Sequence, residues 1–248
     1  MEALGDLFVS MAGVPAMVGL VLTSVTIFLT SDWRLSLTGL LVQYVLIGIT
    51  LTRFIQAEMA VVKILVGVLV VPILYLSARQ IQEVKDTQEA KEGRTRFLGL
   101  QVGWGAGPLG LPLRLLALLL VTLAVIRFFD EYRMLLPALP GENSTIPADV
   151  AFVTLWLGGI GLIGLVLSGK PLRVAPAMFT LLAAFDLIYS SLEPGLAVVG
   201  VLGALTLLSA LAFSYLITIT GLSQDVRAGP LAESVSRGIR LDEEESEG

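Results

Sequence analysis

The sequence contains neither cysteine nor histidine, and only 15% of its residues are charged. Without cysteine the chain has no disulfides, no thiol chemistry and no ligands for an iron–sulfur cluster. Without histidine it also lacks the usual protein ligands of haem and zinc. We therefore predict a protein with no catalytic redox centre, no cofactor and no metal of its own.

Hydrophobic residues, in contrast, make up 55% of the 248 residues, and the mean hydropathy is +0.86. The charges are grouped between long apolar runs, which is typical of a polytopic membrane protein. The segment 1–6 is acidic and lacks the basic region of a signal peptide, so we expect the first apolar run to stay in place as a membrane helix.

The apolar runs predict an all-α transmembrane helix bundle of about seven spans. The predicted spans are 7–30, 33–55, 57–79, 113–129, 149–168, 172–192 and 194–220. Residues 1–220 would form the transmembrane domain, and residues 221–248 a disordered, acidic cytoplasmic tail. Most of the net charge of −5 comes from this tail, so the charge balance gives no indication of nucleic-acid binding.

The positions of the basic residues predict the orientation of the bundle. If the N-terminus is outside, twelve lysines and arginines fall on the inner side and three on the outer side, which favours an outer N-terminus and an inner C-terminus. The inner group comprises Arg34, Arg79, Lys85, Lys91, Arg94, Arg96, Arg114, Lys170, Arg173, Arg227, Arg237 and Arg240, and the outer group Arg53, Arg127 and Arg133.

The connection between the third and fourth spans, 80–112, has two parts. Residues 80–92 are rich in helix-forming and charged residues, so we predict a cytoplasmic extension of the third helix, either solvated or docking another subunit. Residues 97–112 are apolar but rich in glycine and proline, which predicts an interfacial or partly buried loop.

Two charged residues lie deep inside predicted spans, away from the span ends: Lys63 and Asp186. Each is about six residues from the outer end of its helix, or about 9 Å deep at 1.5 Å per residue. A charge at that depth costs at least a few kcal/mol unless it finds a partner. We therefore predict that the two side chains face the protein interior and interact. They could form a static salt bridge or a titratable pair that relays ions, with Gln43 and Glu58 as secondary polar positions.

Two segments resemble a known family. The run from Lys63 through apolar residues to Pro72, where a helix kink is expected, resembles the component E membrane subunit of the hydrogenase-4 group. That family is similar to the K (4L) subunit of respiratory NADH dehydrogenase and to the C subunit of Mrp-type antiporters. The run Leu181–Tyr189 around Asp186 resembles the family's acidic site in a membrane helix, although glutamate is usual there.

The resemblance implies a non-redox subunit of an ion-translocating oxidoreductase complex in the prokaryotic cytoplasmic membrane. Such a subunit relays protons or sodium ions beside antiporter-like membrane subunits, while soluble redox subunits carry the electrons. Two other functions stay open: a stand-alone secondary transporter or channel, and a purely structural membrane subunit. Transporters usually contain broken helices and internal repeats. The sequence shows no convincing repeat, but Pro72 and Pro176 could each break a helix.

Overall fold

The computed structural model describes residues 13–30, 32–91, 110–135, 147–168, 171–193 and 195–220. Within these ranges the protein is all-α, as predicted. It consists of seven helices: α1 (Val14–Leu29), α2 (Trp33–Leu51), α3 (Ala57–Lys91), α4 (Gly110–Leu135), α5 (Ala148–Leu167), α6 (Pro171–Leu192) and α7 (Leu196–Thr220). The predicted disordered tail at 221–248 and the glycine-rich part of the predicted loop lie outside the described residues.

Six of the seven helices are long and apolar enough to cross a membrane. The exception is α1, which has 16 described residues and therefore a length of about 24 Å. Residues 1–12, which the predicted first span includes in part, lie outside the described ranges. The helices together indicate an integral membrane protein. The orientation of the bundle stays a prediction.

The fourth helix is longer than the sequence indicated. We predicted a span at 113–129, but α4 begins at Gly110 and continues to Leu135. Asp130, Glu131 and Arg133 are therefore helical. The physical reason is that no helix-breaking residue occurs before Pro137, and a helix normally ends before the residue that precedes a proline.

Two other helix ends also differ from the predicted spans. α2 ends at Leu51 rather than at residue 55, because the chain tightens there into turns with bonds between residues three apart, such as Arg53 N–H to the Thr50 carbonyl. α3 has 35 residues, so the predicted helical extension beyond the membrane is confirmed as a helix. Docking of another subunit by this extension stays a prediction.

Small residues allow α5 and α6 to pack closely. A Cβ at Gly161 would lie 2.7 Å from the backbone nitrogen of Leu181, and a Cβ at Gly164 would lie 2.9 Å from the Cβ of Ala177. Since backbone atoms cannot move aside as a flexible side chain can, the contact at Gly161 excludes any larger residue. α6, which carries Asp186, is thereby held against α5.

The second helix occupies a central position. It packs against α1, α3 and α6, and ten of its 19 residues are buried. α3 and α7 are linked by a hydrogen bond between the hydroxyls of Ser77 and Ser214, whose oxygens are 2.5 Å apart. α1 and α5 are linked by Trp156, whose Nε1 donates to Ser24 Oγ at 2.9 Å. Polar contacts therefore connect helices within the otherwise apolar interior.

Candidate functional site

The side chains of Lys63 in α3 and Asp186 in α6 form an ion pair inside the bundle. Lys63 Nζ donates a hydrogen bond to Asp186 Oδ1, and the two side chains are only 3% and 7% exposed. Lys63 lies six residues after the start of α3 at Ala57, and Asp186 six residues before the end of α6 at Leu192. Both are thus about 9 Å from a helix end. The predicted contact is confirmed; the relay role stays a prediction.

Helix α2 brings the two charged residues together, because it packs against both α3 and α6. Glycines make its contact with α3 close. A Cβ at Gly67, one turn after Lys63, would lie 2.4 Å from the Cβ of Tyr44. A Cβ at Gly48 would lie 2.2 Å from the Cγ1 of Ile64. Gly67 therefore provides the space for the Tyr44 ring.

A second buried polar contact joins α2 and α6. The Thr180 hydroxyl lies 2.9 Å from the carbonyl oxygen of Pro176 and 3.4 Å from Gln43 Oε1. A hydroxyl has one proton, so the shorter bond to Pro176 is the stronger and the contact with Gln43 is weak. The predicted secondary residue Gln43 is therefore in the interior, fully buried, but its contact within the described residues is with Thr180 rather than with Lys63 or Asp186.

Three buried polar atoms have no hydrogen-bond partner among the described residues: Gln43 Nε2, Tyr44 Oη and Ser190 Oγ. Ser190 lies one turn after Asp186 on α6. Leaving such a group unpaired costs about 1–3 kcal/mol, and native proteins normally pair their buried polar groups. These atoms are therefore the places in the interior where water or a transferred ion would find additional hydrogen-bonding groups.

The structure does not bring the other predicted residues to the ion pair. Glu58 is exposed in the first turn of α3, five residues before Lys63. Pro72 lies inside α3, which continues through it without a break. The predicted kink at Pro72 stays a prediction, but the helix is not interrupted there.

Sequence reasoning did not assign Tyr44, Thr180 or Ser190 to the site. Ser190 is four residues after Asp186, so a search at helical spacing could have found it. Tyr44 directly follows Gln43, and adjacent residues do not share a face of a helix, so the sequence offered no comparable signal for it. The same holds for Thr180, which lies six residues before Asp186 and whose role depends on the position of α2.

The arrangement provides a proton donor and a proton acceptor in direct contact within the membrane-spanning part of the protein. Lys63 can hold a proton on Nζ and Asp186 can hold one on Oδ1. In the described part of the chain, no group of three or more Asp, Glu, His or Cys side chains is placed to hold a metal ion. In chemical terms the Lys63–Asp186 pair could pass a proton between Nζ and Oδ1. No family model, curated protein or solved structure matches the chain.

Proposed function

We propose that this protein is a non-redox membrane subunit of an ion-translocating oxidoreductase complex, of respiratory or hydrogenase type, in which Lys63 and Asp186 relay protons or sodium ions. The observation that carries the proposal is the buried ion pair between α3 and α6. Ionisable residues inside membrane helices are rare, costly and commonly part of an ion pathway. The resemblance of the segments around both residues to component E subunits supports the same function.

The surroundings of the pair support a relay more than a simple packing contact. A packing contact needs only the two charged groups, whereas this interior also holds unpaired polar atoms on Gln43, Tyr44 and Ser190. Each unpaired polar atom lowers the stability of the protein. This loss has a functional reason if the three groups stabilise an ion or water during transfer. Glu58, exposed at the same end of α3, would take up or release the ion at the membrane surface.

The proposed partners follow from the same assignment. The subunit would pack beside antiporter-like membrane subunits in a prokaryotic cytoplasmic membrane, and soluble redox subunits would drive the complex. The exposed surfaces of α4 and α7 are apolar over most of their length, with large side chains such as Leu123, Ile126 and Leu208 more than 60% exposed. Such surfaces suit either lipid or the apolar face of another membrane subunit.

The continuity of two helices weighs against a stand-alone secondary transporter. Such transporters typically place the binding site at helices broken near the middle of the membrane. Here α3 continues through Pro72 and α6 continues through Pro176. Purification under mild conditions separates the two functions: soluble redox subunits that co-purify support the proposal, and transport by the pure chain alone contradicts it.

The decisive experiment measures electron transfer and ion pumping in the intact complex. Lys63→Met and Asp186→Asn should assemble and retain electron transfer but reduce pumping at least tenfold. Arg53→Gln, which removes a charge from the exposed pair with Asp149, is the matched control and should pump normally. If the double variant Lys63→Met/Asp186→Leu assembles and pumps as well as the unchanged protein, the pair is structural only and the relay is wrong.

A further inference from the structure

A partly open pocket lies at the opposite end of the bundle from the Arg53–Asp149 pair. Its lining comes from the end of α1, the start of α2, the start of α4, the end of α5 and the start of α6. The volume is about 30 Å³, enough for about two water molecules. The polar and charged residues in its wall are Thr30, Asp32, Ser36, Arg114, Ser168, Arg173 and Thr180.

Two arginines give this pocket an excess of positive charge. Arg114 Nη1 donates to the carbonyl oxygens of Phe28 and Leu29, at 3.3 and 3.4 Å, which holds its guanidinium at the end of α1. Arg173, in the first turn of α6, lines the same pocket. An anion in the pocket could therefore interact with both guanidinium groups.

The described carboxylates only partly neutralise these arginines. The ion pairs between Arg53 and Asp149 and between Lys63 and Asp186 involve neither of them. Asp32 also lines the pocket, where its carboxylate accepts the backbone N–H of Arg34 at 2.9 Å and caps α2. One carboxylate against two guanidinium groups leaves the lining with an excess of positive charge. Within the described ranges no carboxylate forms an ion pair with Arg114 or Arg173, so both keep guanidinium N–H groups for a ligand.

Aromatic residues place the pocket at the surface of the membrane. Trp33 lines it, and the ring centroids of Trp33 and Tyr75 are 5.4 Å apart. Tryptophan and tyrosine are enriched where the hydrocarbon meets the lipid headgroups. The apolar part of α4 begins at Pro112, two residues before Arg114, which places the guanidinium near the same level.

We propose that this pocket binds the phosphate of an anionic phospholipid. Two guanidinium groups match the geometry of phosphate oxygens, which they bind in a bidentate manner, and phosphate oxygens can take the place of the waters that the pocket would hold. The start of α6 at Pro171 adds a favourable helix dipole. Basic pockets between membrane helices are known to bind such headgroups.

The surface beside the pocket suits the acyl chains of the same lipid. Leu113, Leu116 and Leu120 of α4 are each more than half exposed, and their spacing places them along one side of the helix next to Arg114. A phosphate from solution would use the arginines but not this apolar surface. The continuity of charged pocket and apolar helix face therefore favours a lipid over free phosphate.

The test uses the full-length protein, with any subunits that co-purify, and native mass spectrometry with phosphatidylglycerol as the probe. Arg173→Gln should weaken retention of this lipid about fivefold, and Arg114→Gln/Arg173→Gln about 25-fold. The matched control is Arg34→Gln, which removes a positive charge at the same end of the bundle but from outside the pocket. It should change retention less than twofold.

Arg173→Gln carries the test if Arg114→Gln fails to fold, because Arg114 also bonds to the end of α1. Lipid retention by Arg173→Gln equal to that of the unchanged protein overturns the proposal, as does an equal loss in Arg34→Gln, which would indicate surface charge alone. A parallel measurement with inorganic phosphate distinguishes the source of the anion. Phosphate binding that depends on Arg173, combined with phosphatidylglycerol binding that does not, rules out the lipid.

Discussion

The ring of Tyr44 in α2 lies directly against the backbone of α3 at Gly67. A Cβ at residue 67 would be 2.4 Å from the Cβ and 2.6 Å from the Cγ of Tyr44, far inside the normal contact distance between carbon atoms. Gly67 is one turn from Lys63, and α2 also packs against the helix that carries Asp186. The distance between α2 and α3 near the ion pair therefore depends on Gly67, which has no side chain.

Replacing this glycine should destabilise the protein. Gly67→Ala would force Tyr44 or the whole of α2 to move, and overpacking of this kind typically costs about 1–3 kcal/mol. The measurement is thermal unfolding in detergent. The matched control is Gly200→Ala in α7, where an added Cβ would meet nothing within 4 Å and alanine favours the helix by about 1 kcal/mol. Equal melting temperatures for the two variants would contradict this account of the contact.

The two ion pairs should differ in their contributions to stability. Arg53 and Asp149 are 31% and 24% exposed, with Nη1 and Oδ2 2.5 Å apart, so a double-mutant cycle should give a coupling of about 0.2–1 kcal/mol. Lys63→Met leaves a buried carboxylate without its partner and should cost about 3–5 kcal/mol.

The double variant Lys63→Met/Asp186→Leu should recover most of that loss, because it removes both charges from the interior. Free energies of unfolding for the single and double variants provide the test. A double variant as unstable as Lys63→Met would show that the carboxylate is not the source of the loss.

Removal of the Tyr44 hydroxyl should not destabilise the protein. It is buried without a hydrogen-bond partner in the described part of the chain, so Tyr44→Phe should leave the free energy of unfolding unchanged or raise it by up to about 1–3 kcal/mol. Tyr75→Phe, at a partly exposed tyrosine, is the control and should change stability by less than about 0.5 kcal/mol. A loss of more than about 1 kcal/mol in Tyr44→Phe would show that the hydroxyl has a partner such as bound water.

The predicted orientation can be tested by labelling, since the chain has no cysteine and each engineered thiol would be the only one. A membrane-impermeant reagent added from outside should label Asn143→Cys but not Ser223→Cys. The reason is the excess of basic residues on the side that includes the C-terminus. Labelling of Ser223→Cys alone would reverse the orientation of the bundle.

Much of the fold could be predicted because apolar length alone reveals a membrane helix. The predicted starts of the third, fifth and sixth spans fall within one residue of α3, α5 and α6. α4 was underestimated because its last turns are polar, and a hydrophobicity pattern does not distinguish a helix that leaves the membrane from a loop. Charge and depth were also sufficient to predict that Lys63 and Asp186 interact.

The surroundings of the pair could not be predicted in the same way. In a membrane helix the lipid-facing and interior residues are both apolar, so periodicity does not show which side faces inward. That side is set by close contacts such as those at Gly67 and Gly161, which require both helices to be known. Thr180 and Tyr44 were therefore placed only by the structure.

The direct contact between Lys63 and Asp186 also fixes the electrical balance of the interior. With the proton on Nζ the pair is an ammonium and a carboxylate; with the proton on Oδ1 it is an amine and a carboxylic acid. The net charge of the two side chains is zero in both states. An electric field across the membrane therefore exerts no net force on the pair and acts only on its dipole. A proton can thus change sides within the pair without leaving an isolated charge in the hydrocarbon layer.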